Sequence, residues 1–290
     1  MSVAHAHGAS LAQLEDPTNT QGIRERFLRD VRARFRSLRG AIREAVGYET
    51  DILGLSETSS LADLEDVERF ESDSGKVRAF ARWLREMLRA DVLEAADTQT
   101  IEQGQHWTAT YIRAAYGQGW ENAAERLQQR GFDVDARDLQ RVFSMGVPER
   151  QLRRLYTRTF ENLESVTEDT VVAVRETLTE GLAAGWNPRK MARELTAKAG
   201  AIQRTQAEVL ARTETINSYS TATLDRYERA QVGGVTVSGE FTTAEDDAVC
   251  PLCESIAGST YAVEEMREAT FEFSPTESEP SHLQGTYPVR

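Results

Sequence analysis

The sequence predicts an α+β protein, a long mainly helical N-terminal region followed by a compact C-terminal domain of helices plus a small β-sheet. Three observations predict it. Apolar residues recur at spacings of three and four from Ile23 to Ala230. Gly233-Gly234 breaks that rhythm. Beyond the break, short β-branched and aromatic runs alternate with turn residues. The expected organisation is a mobile tail over 1–21, a helical partner-binding region over 22–165 and a compact domain over 166–290.

The first element begins at Ile23, since Ile23, Phe27, Val31, Phe35, Leu38 and Ile42 share one helix face. The same stretch is rich in arginine. Arg29, Arg32, Arg36 and Arg39 are candidate contacts to phosphates or to an acidic partner. A solvated face paired with acids elsewhere in the fold explains them equally well. Residues 49–74 are acidic and broken by Gly54. Val77 to Ala95 is the next helix, with Val77, Phe80, Trp83, Leu84, Met87, Leu88 and Val92 turned inward. Ile101 to Arg130 follows, where Gly117 and Gly119 predict either a break or a close helix contact. His106, beside Trp107, reads as a packing residue.

A connector over 131–146 leads to a helix from Pro148 to Glu161. Thr167 is the expected N-cap of a separate helix to Leu182, and Val171, Val174, Leu178 and Leu182 form its buried spacing. Gly185-Trp186-Asn187-Pro188 ends that helix and starts another, with Asn187 as N-cap and Pro188 in the first helical position. Gly200 is the expected stop. The longest periodic stretch, Ile202 to Gln231, sets Ile202, Val209, Thr213, Ile216, Ser220, Leu224, Tyr227 and Ala230 along one side. Strands are expected at 235–237, 241–243, 261–263 and 271–273.

Composition bounds the function. The 290 residues hold 47 acids against 34 Lys plus Arg, a formal charge of −13, and only three of those cations are lysines. A lysine-poor acidic chain suits solubility at high salt, where repulsion is screened; a GC-rich genome also favours arginine codons. No run approaches the roughly 20 apolar residues of a membrane helix, and residues 1–17 lack the order of a secretory signal. A soluble, unsecreted protein is expected. The only two cysteines, Cys250 and Cys253, lie in one Cys-Pro-Leu-Cys turn, which argues against a disulfide framework and offers half of a tetrahedral metal site.

Four motifs occur in order. They are Gly181-Leu182-Ala183-Ala184-Gly185-Trp186-Asn187-Pro188 with Met191-Ala192-Arg193-Glu194-Leu195, then Leu210-Ala211-Arg212-Thr213-Glu214-Thr215 with Asn217. Phe241-Thr242-Thr243-Ala244-Glu245-Asp246-Asp247 follows, leading to Cys250-Pro251-Leu252-Cys253 and Gly258. Pro280-Ser281-His282 comes last. Over roughly residues 168–283 the chain resembles the phage Mu F-like minor head protein family, a head morphogenesis domain of tailed viruses. It departs from the family in having Phe241 where tryptophan is usual and no cysteines after His282. With the composition, the resemblance points to a halophilic archaeal virus.

The resemblance implies a structural, non-catalytic minor capsid protein, bound to the portal inside the virion head and contacting packaged double-stranded DNA, with the major capsid or scaffold protein as a further partner. It implies host cytoplasm during assembly and no membrane partner. It makes Cys250, Cys253 and His282 zinc ligands, with Asp246, Asp247 or water as a fourth; structural zinc, catalytic metal and a metal-free cysteine pair stay open. Arg212 and Glu214, two apart on one helix, point to different faces. Each is expected to fix the C-terminal sheet against that helix. The competing function is a metal-dependent hydrolase or toxin-like enzyme built on the C-terminal domain. It finds no His-Glu-x-x-His, phosphate loop or Ser/His/Asp set in the sequence.

Overall fold

The computed structural model describes residues 18–46, 73–134, 142–143, 145–232, 234, 236–240, 255, 257–268, 270–271 and 287–288. Its elements, in chain order, are α1 (Gln21–Val46), α2 (Asp73–Asp91), α3 (Thr98–Glu102), α4 (Ala109–Gln129), α5 (Gly146–Ala183) and α6 (Pro188–Val232). After these come β1 (Ser238–Glu240), β2 (Thr260–Ala262), α7 (Val263–Glu268), β3 (Thr270–Phe271) and β4 (Tyr287–Pro288). The mostly helical α+β class is observed.

Two compact units divide these elements. The first comprises Gln21–Ile112 and Leu152–Thr215. Within it α1 buries all six residues of its apolar stripe, Ile23 to Ile42, each contributing about 1.5–3 kcal/mol relative to exposure. Leu84, Leu88, Ile112, Leu163, Leu178 and Met191 complete the largest fully buried set. On α2 and just after it, Phe80, Leu84, Leu88 and Val92 of the expected inward face are buried, and Trp83 and Met87 are half-buried.

Several boundaries differ from the sequence reading. The helix expected from Ile101 is interrupted early, at Gly104, whose φ of 67° is left-handed; it resumes as α4 and runs unbroken through Gly117 and Gly119. Thr167 is not an N-cap. It lies inside the 38-residue α5, where its hydroxyl donates to the Glu164 carbonyl at 2.7 Å. Nothing between Glu161 and Glu168 is a glycine or proline, so no residue there forces a stop. Gly200 does not end its helix either. A mid-helix glycine costs only about 1 kcal/mol, and Gly200 is buried where the Arg39 side chain closes over it.

The turn between α5 and α6 is as expected, and its hydrogen bonds show why. Gly185 has φ 63°, its N–H donates to Leu182 O at 3.1 Å, and Trp186 N–H donates to Gly181 O at 2.9 Å. These two bonds cap the orphan carbonyls of α5. Asn187 Oδ1 then accepts from the Lys190 N–H at 2.9 Å, with Pro188 opening α6.

The second unit comprises Met1–Thr20, Arg113–Gln151 and Ile216–Arg290. Tyr116, Trp120, Ala123, Ala222, Val263 and Met266 are buried in it. The expected close contact at Gly119 is present, since a Cβ there would lie 2.2 Å from Tyr219 O. β1 pairs antiparallel with β2, Gly239 opposite Tyr261, and β3 pairs antiparallel with β4. Val263, expected in a strand, opens α7 instead. Glu265 reaches back to accept from the Ala262 N–H at 2.8 Å, a capping contact at the helix start. The strand expected at 241–243 lies outside the described residues.

Candidate functional site

The arginines of α1 sort by position. Arg29, Arg32, Arg36, Arg39 and Arg43 are spaced three and four apart and fall within an arc of about 80° at 100° per residue. That arc flanks the buried stripe rather than opposing it. Arg29, Arg36 and Arg43 are exposed and Arg32 and Arg39 half-buried. Arg32 pairs with Glu208 on α6 at 3.7 Å, with both side chains substantially exposed, so the pair adds little stability. Arg34 lies off this arc and is engaged internally: it pairs with Glu94 at 2.8 Å, donates to Asp91 O at 3.2 Å and stacks on Trp107.

Arg39 and Arg43 face the start of α6 across a groove of about 630 Å³, with Arg189, Arg193 and Arg204 on the other side. Its lining holds no acid and no large apolar side chain; Ala192, Thr196, Ala197 and Gly200 form the floor. Arg193 pairs with its neighbour Glu194 at 2.9 Å. Among the described residues no carboxylate pairs with Arg39, Arg43, Arg189 or Arg204. In a chain of net charge −13, this is a local concentration of uncompensated positive charge, adjoining the positive end of a 45-residue helix. The sequence identified Arg39. It missed the α6 arginines, because only the fold brings residues 150 positions away to α1.

Glu214 and Arg212 separate as their spacing implies: Arg212 is exposed and Glu214 fully buried. Glu214 is engaged by α5; much of the C-terminal segment it was expected to hold lies outside the described residues. Its carboxylate accepts from Asn162 at 2.8 Å and Thr159 at 3.1 Å, and Arg158 lies 3.5 Å away. Burial pushes its pKa up, while Arg158, Asn162 and Thr159 pull it back. A carboxylate held by two donors and a cation is a packing device that aligns two long helices.

A second polar cluster escaped the sequence reading. Asp225, with no exposed side-chain surface, accepts a short hydrogen bond from the Tyr116 hydroxyl. Arg267 on α7 bonds Asp225 at 2.8 Å and Glu228 at 2.6 Å. Asp225 and Glu228 look like ordinary exposed helix charges in the sequence. Their partners lie about 40 and 110 positions away, so nothing local marks them.

Cys250, Cys253 and His282, with Asp246 and Asp247, lie outside the described residues. Among the described residues no group of three His, Cys, Asp or Glu side chains is placed to hold a metal ion. Among the described residues no helix is long and apolar enough to cross a membrane.

Comparison with known proteins adds one match. Residues 172–278 match the family described as Phage Mu protein F like protein. No curated protein and no solved structure matches the chain. The matched segment contains the α5–α6 turn, Glu214 itself and the β1–β2–α7 unit, while the partners of Glu214 on α5 precede it. Over residues 172–278, the chain is similar to the phage Mu F-like head morphogenesis proteins.

Proposed function

We propose that the protein is a minor capsid protein of a tailed virus, bound to the portal inside the head and contacting packaged double-stranded DNA, without a catalytic role of its own. The observation that carries this reading is the match over residues 172–278. Two features support it. Glu214 of the matched helix is buried and engaged by Asn162, Thr159 and Arg158, which suits packing rather than proton transfer. Arg29, Arg32, Arg36, Arg39 and Arg43 of α1 lie on one arc beside the core, which suits contact with a polyanion.

Because α1 buries its apolar stripe, the portal contact draws on other surfaces of the chain. A zinc ion at Cys250, Cys253 and His282 stays part of the proposal and is read by elemental analysis of the purified protein. The chain belongs to the virion in this reading and passes through the host cytoplasm during assembly.

Localisation within purified particles tests the whole reading. Asymmetric reconstruction should place density for this chain inside the shell beside the portal. Density on the outer surface, or particles that lack the chain, would overturn it.

A further inference from the structure

We infer that the groove between α1 and the beginning of α6 is a phosphodiester-binding site that takes the backbone of duplex DNA. This deepens the DNA-contact part of the proposed function and rests on it only for the identity of the polyanion.

The geometry argues for an extended polyphosphate. Arg189 and Arg204 stand 15 residues apart on one helix, about 22 Å of rise. That length matches about six phosphates along one strand at 3.4 Å of axial rise each. Arg39 and Arg43 supply the opposite wall, so the cations flank a channel rather than converge on one point. The open part of the floor is made of small side chains, Ala192 and Ala197, which lets a phosphate-sugar chain approach the helix closely, while Arg39 covers the buried Gly200. The positive end of α6, at Pro188, closes one end.

An acidic protein partner fits less well. Protein interfaces gather their energy on large apolar or aromatic anchors seated in pockets, and this lining contains none. The guanidinium groups of Arg39, Arg43, Arg189 and Arg204, without carboxylate partners among the described residues, match phosphate oxygens through paired N–H donors, and Arg193 would exchange Glu194 for phosphate. They also read no sequence, so binding should be independent of base composition.

Fluorescence anisotropy with the full chain and a short duplex tests the site through its salt dependence. Five arginine-phosphate contacts give a slope of log affinity against log salt of about −4.5, or about 500-fold weaker binding for a fourfold rise in salt. The triple variant Arg189→Gln, Arg193→Gln, Arg204→Gln should lose about three contacts, leaving about a 12-fold effect over the same range. The control triple Arg78→Gln, Arg82→Gln, Arg89→Gln removes equal charge from exposed positions of α2 that do not line the groove; it should keep the wild-type slope. Ala197→Glu, which puts a carboxylate on the exposed floor, should weaken binding with the helical circular dichroism signal unchanged.

A groove triple or an Ala197→Glu variant that binds with wild-type affinity and slope overturns the site while leaving DNA contact standing. A wild-type chain that fails to bind duplex DNA overturns both. Polyglutamate competing as well as unlabelled duplex overturns the assignment to phosphate in favour of an acidic protein.

Discussion

The carboxylate of Glu214 on α6 accepts a hydrogen bond from the side-chain amide of Asn162 on α5 at 2.8 Å, 52 positions earlier in the chain. The Thr159 hydroxyl, one turn before, binds its other oxygen. The contact is buried, so both helices are held in one register by a single residue of the matched segment. Glu214→Ala should destabilise the protein by about 2–3 kcal/mol, because it strands buried donors. Glu214→Gln keeps one acceptor and should cost less. The folded-state pKa of Glu214 is raised above the ordinary 4.5, chiefly by burial. Its titration therefore contributes stability that is full below pH 4.5 and is lost as pH rises through the folded pKa. Urea unfolding across this range should show the advantage of wild type over Glu214→Gln shrinking with rising pH. A constant gap would refute the burial argument.

Gly119 places α4 against α6. Replacing a mid-helix glycine by alanine ordinarily stabilises a helix by about 1 kcal/mol. Here the added Cβ would sit 2.2 Å from Tyr219 O and 2.9 Å from its carbonyl carbon, and backbone cannot yield as a flexible side chain does. Gly119→Ala should therefore lower stability, by about 1–3 kcal/mol from overpacking. Thermal melts decide the sign: a raised midpoint would mean that the helices do not approach this closely.

His106 gives the first unit a pH response of opposite sign. Its Nδ1 shares a 2.8 Å hydrogen bond with the Thr108 hydroxyl, its ring meets Phe160 edge-on, and burial lowers its pKa to about 4. Glu94 acts to raise that pKa and Arg34 to lower it further. A depressed pKa means that its share of stability is present above pH 6.5 and is lost as pH falls from 6.5 toward 4. In chemical denaturation at a series of pH values, His106→Gln should remove that part of the acid sensitivity. Identical pH profiles for the two proteins would count against a buried neutral imidazole.

Arg267 holds α7 on α6 through Asp225 and Glu228. Its side chain is 27% exposed whereas Asp225 has none exposed, so removing the arginine leaves a buried carboxylate with Tyr116. Arg267→Met should cost about 2–4 kcal/mol, below the full value for a buried pair because solvent reaches the arginine. Adding Asp225→Asn should recover part of the loss. Additive losses in the double-mutant cycle would show that the two residues do not interact.

Some of this was legible from residue pattern. The α1 stripe works because every third or fourth residue is large and apolar, so one helix face is defined without reference to any neighbour. The Gly185–Pro188 turn is equally local: a left-handed glycine, an N-cap asparagine and a proline suit it whatever surrounds them. The buried side of α6 was legible at its start, where Met191 and Leu195 are buried, and not over most of the length beyond Gly200. Val209 is 39% exposed, while Gln203, Glu214, Ser218, Asp225 and Arg226 are buried beside alanines. Large apolar residues are buried on α6 at Met191, Leu195, Leu210 and Tyr219, but between them the helix packs through small and polar residues, and there hydrophobic periodicity selects the wrong side at Val209.

The sequence by itself determined the helical class, the arginine arc of α1 and the likeness to phage Mu F-like proteins, since these depend on near-neighbour spacing and motif order. Tertiary structure alone decided that Gly200 and Thr167 continue their helices, that Glu214 binds α5, and that Arg189, Arg193 and Arg204 meet Arg39 and Arg43. Those outcomes depend on contacts between residues 50 to 150 positions apart, where the energy of packing outweighs local propensity.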